Sequence, residues 1–262
     1  MPIVAARPAA TIMLLRDGAA GLEVFMTVRH AAIEFASGAL VFPGGRVEDS
    51  DHAIAAREGM HDGRLAPGFF VAGIRETFEE CGILLARPRG TGELLGPDRL
   101  RPIAAAFKAR VANDHAAFAD LLAAEDLVPA ADLLEPFAHW ITPASQRKRF
   151  DTMFFVAEAP ADQVGTHDGA EAVDSVWITP QGAIAASQAG QYKMLFPTMM
   201  NLQKLGRHAT AGEAVTAAGG AALITVEPEL LSQQDGIRTL RIPEAAGYGG
   251  SVFTVDLPPG ID

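Results

Sequence analysis

A chain of 262 residues, 49% of them hydrophobic, can bury one large core, or a core with an appended lobe. Its net charge of −11 excludes wide contact with nucleic acid, whose phosphates require a basic surface. A single cysteine, Cys81, rules out an intramolecular disulfide and suits a reducing compartment. No run reaches the ~18 apolar residues of a membrane span. The first residues lack an export signal and Pro258–Asp262 is not a peroxisomal tripeptide, so the expectation is a cytoplasmic protein without a membrane partner.

In chain order, Ala10–Arg16 and Leu22–His30 predict a β-hairpin about the Asp17–Gly21 turn, and Ser37–Phe42 a third strand. The strand runs into Pro43-Gly44-Gly45, where glycines let the backbone approach a ligand and free a carbonyl to face a cation. Residues 52–69 carry Gly59, Gly63, Pro67 and Gly68 and read as a loop. A helix is expected from about Phe70 to Ala86. It places Glu76, Glu79 and Glu80 on one face at i, i+3 and i+4, with Gly82 as a left-handed cap. Three like charges so close repel one another, and a hard divalent ion relieves them; an exposed acidic helix is the other reading of such a run. Residues 98–126 predict a helical stretch with an interrupted apolar stripe from Leu100 to Leu122. It is expected to cover the site or to form a homodimer contact. The strands His139–Thr142 and Phe150–Glu158 follow, then Val173–Ile178 with Pro180 opening a helix, and a helix over Met194–Arg207. The tail predicts short β segments at Ala222–Val226, Ile237–Ile242 and Val252–Val255. Trp140 and Trp177 alternate with apolar neighbours and read as core. The histidines His52, His61, His115 and His167 show no metal-ligand spacing and are assigned no role.

Gly45, Arg75, Glu76, Glu79, Glu80, Gly82 and Ile83 fall on the fixed positions of G-x5-E-x7-R-E-U-x-E-E-x-G-U, where U is a bulky apolar residue. The chain thereby resembles the Nudix hydrolase family. Two departures stand out. Asp51 replaces the first glutamate, and 24 positions separate it from Arg75, so about 16 residues interrupt the box. Thr77 occupies an apolar position. An interrupted box resembles the branch that includes the peroxisomal coenzyme A diphosphatases and bacterial relatives. So do Trp140-Ile141-Thr142-Pro143 with Arg149-Phe150-Asp151-Thr152, and the closing strand Glu171–Pro180. The stretch Phe25–His30 with Gly38 and Phe42–Gly45 keeps the spacing of the coenzyme A signature L-L-T-x-R-S/A-x3-R-x3-G-x3-F-P-G-G. His30 and Glu34 depart from it, the latter reversing a charge.

The resemblance implies an α+β fold: a Nudix α/β/α sandwich with a mixed central sheet, a helical insertion over about 98–133 and a small C-terminal β-containing extension. The Nudix domain is expected over 1–205, with 206–262 packed on it. It implies metal-dependent hydrolysis of a diphosphate linkage in a small nucleotide derivative, coenzyme A or acyl-coenzyme A first. ADP-ribose or NADH is the alternative, and a non-catalytic ligand-binding domain the rival of another class. Mg²⁺ or Mn²⁺ would be held by Glu76, Glu79, Glu80 and a carbonyl at Gly44 or Gly45, with Arg75 orienting a glutamate. A further acid or base is implied from a later strand or loop. Glu171 is the candidate, and it reads equally as a solvated turn residue. Arg29, Arg147 and Arg149 are the candidates for substrate phosphate contacts, the last two sharing a loop with Lys148 that reads as well as a solvated turn.

Overall fold

In the computed structural model, which describes residues 4–29, 38–61, 63, 65–163, 165 and 172–256, the first two strands set the architecture. They are β1 (Arg7–Gly18) and β2 (Gly21–Arg29), closed by the Ala19-Ala20 turn with Gly18 opposite Gly21. Along β1, Ile12 and Leu14 face one core while Met13 and Leu15 face a second, the period-two alternation of a strand buried on both sides. Then follow β3 (Leu40–Val41), β4 (Gly44–Arg46), α1 (Asp49–Arg57), α2 (Gly68–Cys81), β5 (Ala86–Pro88), α3 (Pro97–Asn113), α4 (Ala117–Ala124) and β6 (Leu127–Pro129). Next are β7 (Glu135–Ile141), β8 (Phe150–Glu158), β9 (Ala172–Ile178), α5 (Pro180–Gln188), α6 (Phe196–Leu205) and α7 (Ala211–Gly220). The chain ends in β10 (Thr225–Val226), β11 (Glu229–Gln234), β12 (Ile237–Arg241) and β13 (Val252–Asp256).

The central sheet has eight strands in the path β10-β7-β8-β1-β2-β3, with β4 also paired to β1 and β9 to β2. It is mixed, because β1 runs parallel to β8 and β10 parallel to β7 while the remaining pairs are antiparallel. Helices α2, α3 and α4 pack on one face through Phe70, Phe78, Ile103, Val111 and Phe118. Helices α5, α6 and α7 pack on the other through Ala183, Leu202, Leu205 and Ala214. The expected α+β sandwich with a mixed sheet and a small C-terminal sheet is therefore what the chain forms. No helix among the described residues is long and apolar enough to cross a membrane.

Several boundaries differ from expectation for local reasons. The stretch expected as a loop begins with α1, because Glu48 and Asp51 form a capping box and Ile54 and Ala55 turn inward; the helix ends before Gly59, which takes a positive φ of 65°. The box helix stops at Cys81 rather than Ala86, since Gly82 at φ 72° sends its N–H back to the Phe78 carbonyl. The 98–126 helix breaks into α3 and α4, where Asp114 leaves helical geometry at φ −146° and ψ 98°. Alanine- and glycine-rich α7 shows too weak a stripe to be read in advance, and β11 is exposed throughout. The strand expected over Ser37–Phe42 contracts to Leu40–Val41, with Ser37 outside the described residues.

The Gly247-Tyr248-Gly249-Gly250 run, which suggested no chemistry, pins the tail. The Tyr248 hydroxyl accepts from Trp140 Nε1 at 2.9 Å and donates to Asn201 Oδ1 at 2.7 Å, and Tyr248 is only 4% exposed. Burial pushes its phenol well above the usual value, which keeps the donor proton in place. A second tie joins β10 to the sheet: Thr225 Oγ1 lies 2.8 Å from His139 Nδ1, and His139 Nε2 lies 2.5 Å from Asp151 Oδ1. Tyr248→Phe strands the indole N–H and the amide oxygen, so about 1–3 kcal/mol of stability should be lost. A lower urea midpoint at unchanged m value would register it.

Candidate active site

The box helix α2 is buried almost along its full length, with the sheet beneath it and the helical insertion above. Gly73 permits the close approach: a Cβ there would stand 3.0 Å from Ile12 Cγ1 of β1. Thr77, the polar residue at an apolar box position, is fully buried and returns its hydroxyl to the Gly73 carbonyl at 2.8 Å. Beyond the Gly82 cap the chain turns Ile83 and Leu84 into the core. Gln163 grips this turn, accepting from the Leu84 N–H at 2.9 Å and donating to the Leu95 carbonyl at 2.9 Å.

At the centre lies Arg75, whose side chain is fully buried. All five of its N–H groups have acceptors. Nε and Nη2 reach Asp51 as a fork, both at 2.9 Å, and Nη2 also reaches the Arg46 carbonyl at 2.8 Å. Nη1 reaches Glu76 Oε1 and Glu79 Oε1, each at 2.8 Å. Burial works against the guanidinium charge, but Asp51, Glu76 and Glu79 outweigh it and hold Arg75 protonated. Asp51 is fully buried and also accepts the Glu48 N–H at 2.9 Å. Thus the two ends of the interrupted box meet, 24 residues apart in sequence.

Glu76, Glu79 and Glu80 are 8%, 6% and 6% exposed. When all three are ionised, the carboxylates bonded to Arg75 outnumber its charge by two. Glu76 registers the imbalance. Burial raises its carboxyl, Arg75 pulls it down, Glu79 raises it again, and the balance is about 7. Gly45 of β4 lies over this carboxylate, and a Cβ at Gly45 would stand 2.5 Å from Glu76 Oε1, so a larger residue would have to displace the carboxylate that Arg75 holds. Among the described residues no three His, Cys, Asp or Glu side chains are arranged so as to hold a metal ion, and Nη1 of Arg75 bridges Glu76 and Glu79. An oxygen-rich donor set with surplus negative charge fits a hard divalent cation.

The other expected residues lie apart. Arg29 ends β2, and strand alternation puts it on the α2 side of the sheet with Phe25; its Nε is buried without a hydrogen-bond partner among the described residues. Arg147 is exposed on the β7–β8 loop. Arg149, expected to meet substrate, is instead turned inward: its guanidinium donates to the carbonyls of Thr142 and Val4 and to Glu227, at 2.9, 2.8 and 2.8 Å. Glu171, His30 and Glu34 fall outside the described residues. One site residue had no sequence signal at all. His115, at the α3–α4 break, brings Nδ1 to 3.3 Å from Glu79 Oε1 and 3.2 Å from Arg75 Nη1.

Residues 54–205, more than half of the chain, match the family described as the NUDT19 Nudix domain. The chain belongs to this Nudix family. It is 30% identical over 182 residues to the human acyl-coenzyme A diphosphatase NUDT19, covering 64% of this chain and 48% of that protein. It is 27% identical over 234 residues to the Gallus gallus acyl-coenzyme A diphosphatase NUDT19, covering 72% and 62%. The chain thus spans between about half and three-fifths of the length of these curated relatives. The crystal structure of a NUDIX hydrolase from Alicyclobacillus acidocaldarius superposes with a TM-score of 0.70 at 28% identity, over 82% of this chain and 97% of that one. The α/β/α arrangement around the box helix is therefore the Nudix fold.

Proposed function

We propose that this chain hydrolyses a diphosphate linkage in a nucleotide derivative, with Mg²⁺ or Mn²⁺ as cofactor and coenzyme A or an acyl-coenzyme A as the substrate class. The observation that carries the reading is the buried, over-acidic cluster of Glu76 and Glu79 around Arg75 beneath the Gly45 corner, with Glu80 on the same helix face. The names of the vertebrate relatives support the substrate class. A divalent ion held by Glu76, Glu79, Glu80 and a carbonyl at Gly44 or Gly45 would neutralise the diphosphate oxygens and activate water.

The chain's own residues do the rest. Asp51 fixes the Arg75 fork, and Arg75 in turn holds one oxygen each of Glu76 and Glu79, so their second oxygens are set in direction. In this reading the orphaned Nε of Arg29 meets a substrate phosphate, with Arg147 at the rim, and Glu171 moves the proton of the attacking water. Residues 1–205 are read as the catalytic unit, and 206–262 as an extension held to it through Tyr248.

The purified chain, given Mg²⁺ or Mn²⁺ and a panel of coenzyme A, acyl-coenzyme A, ADP-ribose and NADH, should release both phosphorylated products, followed by mass. Glu80→Gln should remove most turnover, and Glu171→Gln should lower it in proportion to its role as base. No metal-dependent product from any member of the panel would overturn the reading. Cleavage confined to ADP-ribose or NADH would overturn the substrate class alone, an outcome to which the charge reversal at Glu34 points.

A further inference from the structure

The α3–α4 break holds His115 over the box helix. The Asp114 carboxylate takes the Ala116 N–H at 3.1 Å and the Asp114 carbonyl takes the Ala117 N–H at 2.9 Å. On either side, Val111 and Phe118 are buried in the core that holds α2, with the Phe118 ring 6.5 Å from that of Phe78. Close packing therefore fixes the insertion against α2. The His115 side chain between these anchors is itself 39% exposed, so the core does not depend on it.

The surrounding hydrogen bonds select the tautomer of this ring. All five guanidinium hydrogens of Arg75 go to Asp51, the Arg46 carbonyl, Glu76 and Glu79, so none remains for a lone pair on His115 Nδ1, 3.2 Å from Arg75 Nη1. With its proton on Nδ1, the ring instead donates to Glu79 Oε1 at 3.3 Å. Oε1 thus accepts twice, from Arg75 Nη1 at 2.8 Å and from His115, one donor rooted in the box helix and the other in the insertion. A carboxylate held by one donor can still rotate about that contact. A second donor from a separate element resists the rotation and so holds the direction of Oε2, which neither of the two takes.

We propose that His115 is a positioning residue for Glu79: an N–H donor supplied by the helical insertion that fixes the orientation of this carboxylate for a divalent ion without touching the ion. The inference rests on the metal-dependent reading above. Donors to the ligands of a metal site orient those ligands, and losing one costs about tenfold or more in affinity. Asparagine is the discriminating replacement, because its Nδ2 hangs from Cγ as Nδ1 does in histidine. The amide of glutamine sits one bond further out.

Binding of Mn²⁺ to the full chain, followed by the electron paramagnetic resonance of free ion, tests this without turnover. His115→Ala should weaken binding about tenfold while moving the melting temperature of the metal-free protein by no more than about 2 °C. His115→Asn should restore most of the lost affinity, and His115→Gln much less. Pulsed resonance of the bound Mn²⁺ should show no coupling to a ligating imidazole nitrogen. Unchanged affinity in His115→Ala, or a His115→Asn protein that binds no better than His115→Ala, would overturn the proposal. So would a nitrogen coupling that His115→Ala removes, since the histidine would then be a ligand. Glu80→Gln separates the two levels. If it loses Mn²⁺ while His115→Ala does not, only the histidine's role falls; if the native chain binds no Mn²⁺, the metal reading and this inference fall together.

Discussion

Glu76→Gln should yield a metal-free protein that melts higher than the native one at pH 8, yet turns over about 10³-fold more slowly with metal present. The two effects share one cause. The folded protein holds the Glu76 carboxyl at about 7 against an ordinary 4.5, so folding favours its protonated form. Below about pH 4.5 the group is protonated folded or unfolded, and the two proteins should differ little. As pH rises toward 7 the unfolded chain ionises first, and the native protein carries a growing penalty that saturates above 7. Its ceiling is roughly 3 kcal/mol, or several degrees of melting temperature for a chain of this size. Glutamine escapes the penalty but offers a poor ligand where a carboxylate is needed, and about 4 kcal/mol of lost transition-state stabilisation is a factor of about 10³. Calorimetric scans from pH 5 to 8 in chelator, beside turnover assays, read both. A variant less stable than the native protein at pH 8 would contradict the charge argument.

Arg75→Met should produce the largest loss of stability of any single substitution in the box. It leaves Asp51, Glu76 and Glu79 buried without the cation they share, and Asp51 with the Glu48 N–H as its remaining side-chain partner among the described residues. Breaking a buried ion pair from one side costs about 3–5 kcal/mol, or of the order of 10 °C in melting temperature here. The deficit should shrink at low pH, where the stranded carboxyls take protons. Arg75→Lys restores the charge but not the fork that Asp51 grips through Nε and Nη2, so recovery should be partial. Equal melting temperatures for the Met and Lys variants would show that hydrogen-bond geometry, not charge, holds the cluster.

The box helix was legible because its chemistry is local. Spacing puts Glu76, Glu79 and Glu80 on one face, and a left-handed residue must end the helix at Gly82. The hairpin and the β7–β8 pair were legible for the same reason, alternation being a property of neighbours. What escaped reading depends on distance along the chain. Asp51 could be seen as a departure from the box, but not that it would still grip Arg75 across the insertion. His115 carries no motif, and its place is set by Val111 and Phe118 docking on α2. Arg149 looked like a free cation in a basic loop, yet its partners at Val4 and Glu227 lie at opposite ends of the sequence. Helix α7 hid because alanine and glycine give a faint stripe, and packing rather than propensity holds it.

The bond between Asp51 and Arg75 also frees what lies between them. With both feet of the detour clamped together and its helical ends packed in the core, added length in the connection between α1 and α2 costs ring-closure entropy that rises only with the logarithm of its size, about 0.6 kcal/mol for each doubling. Segments of quite different length could therefore bulge from this corner while the catalytic turn kept its coordinates, leaving the detour open to carry its own recognition surface.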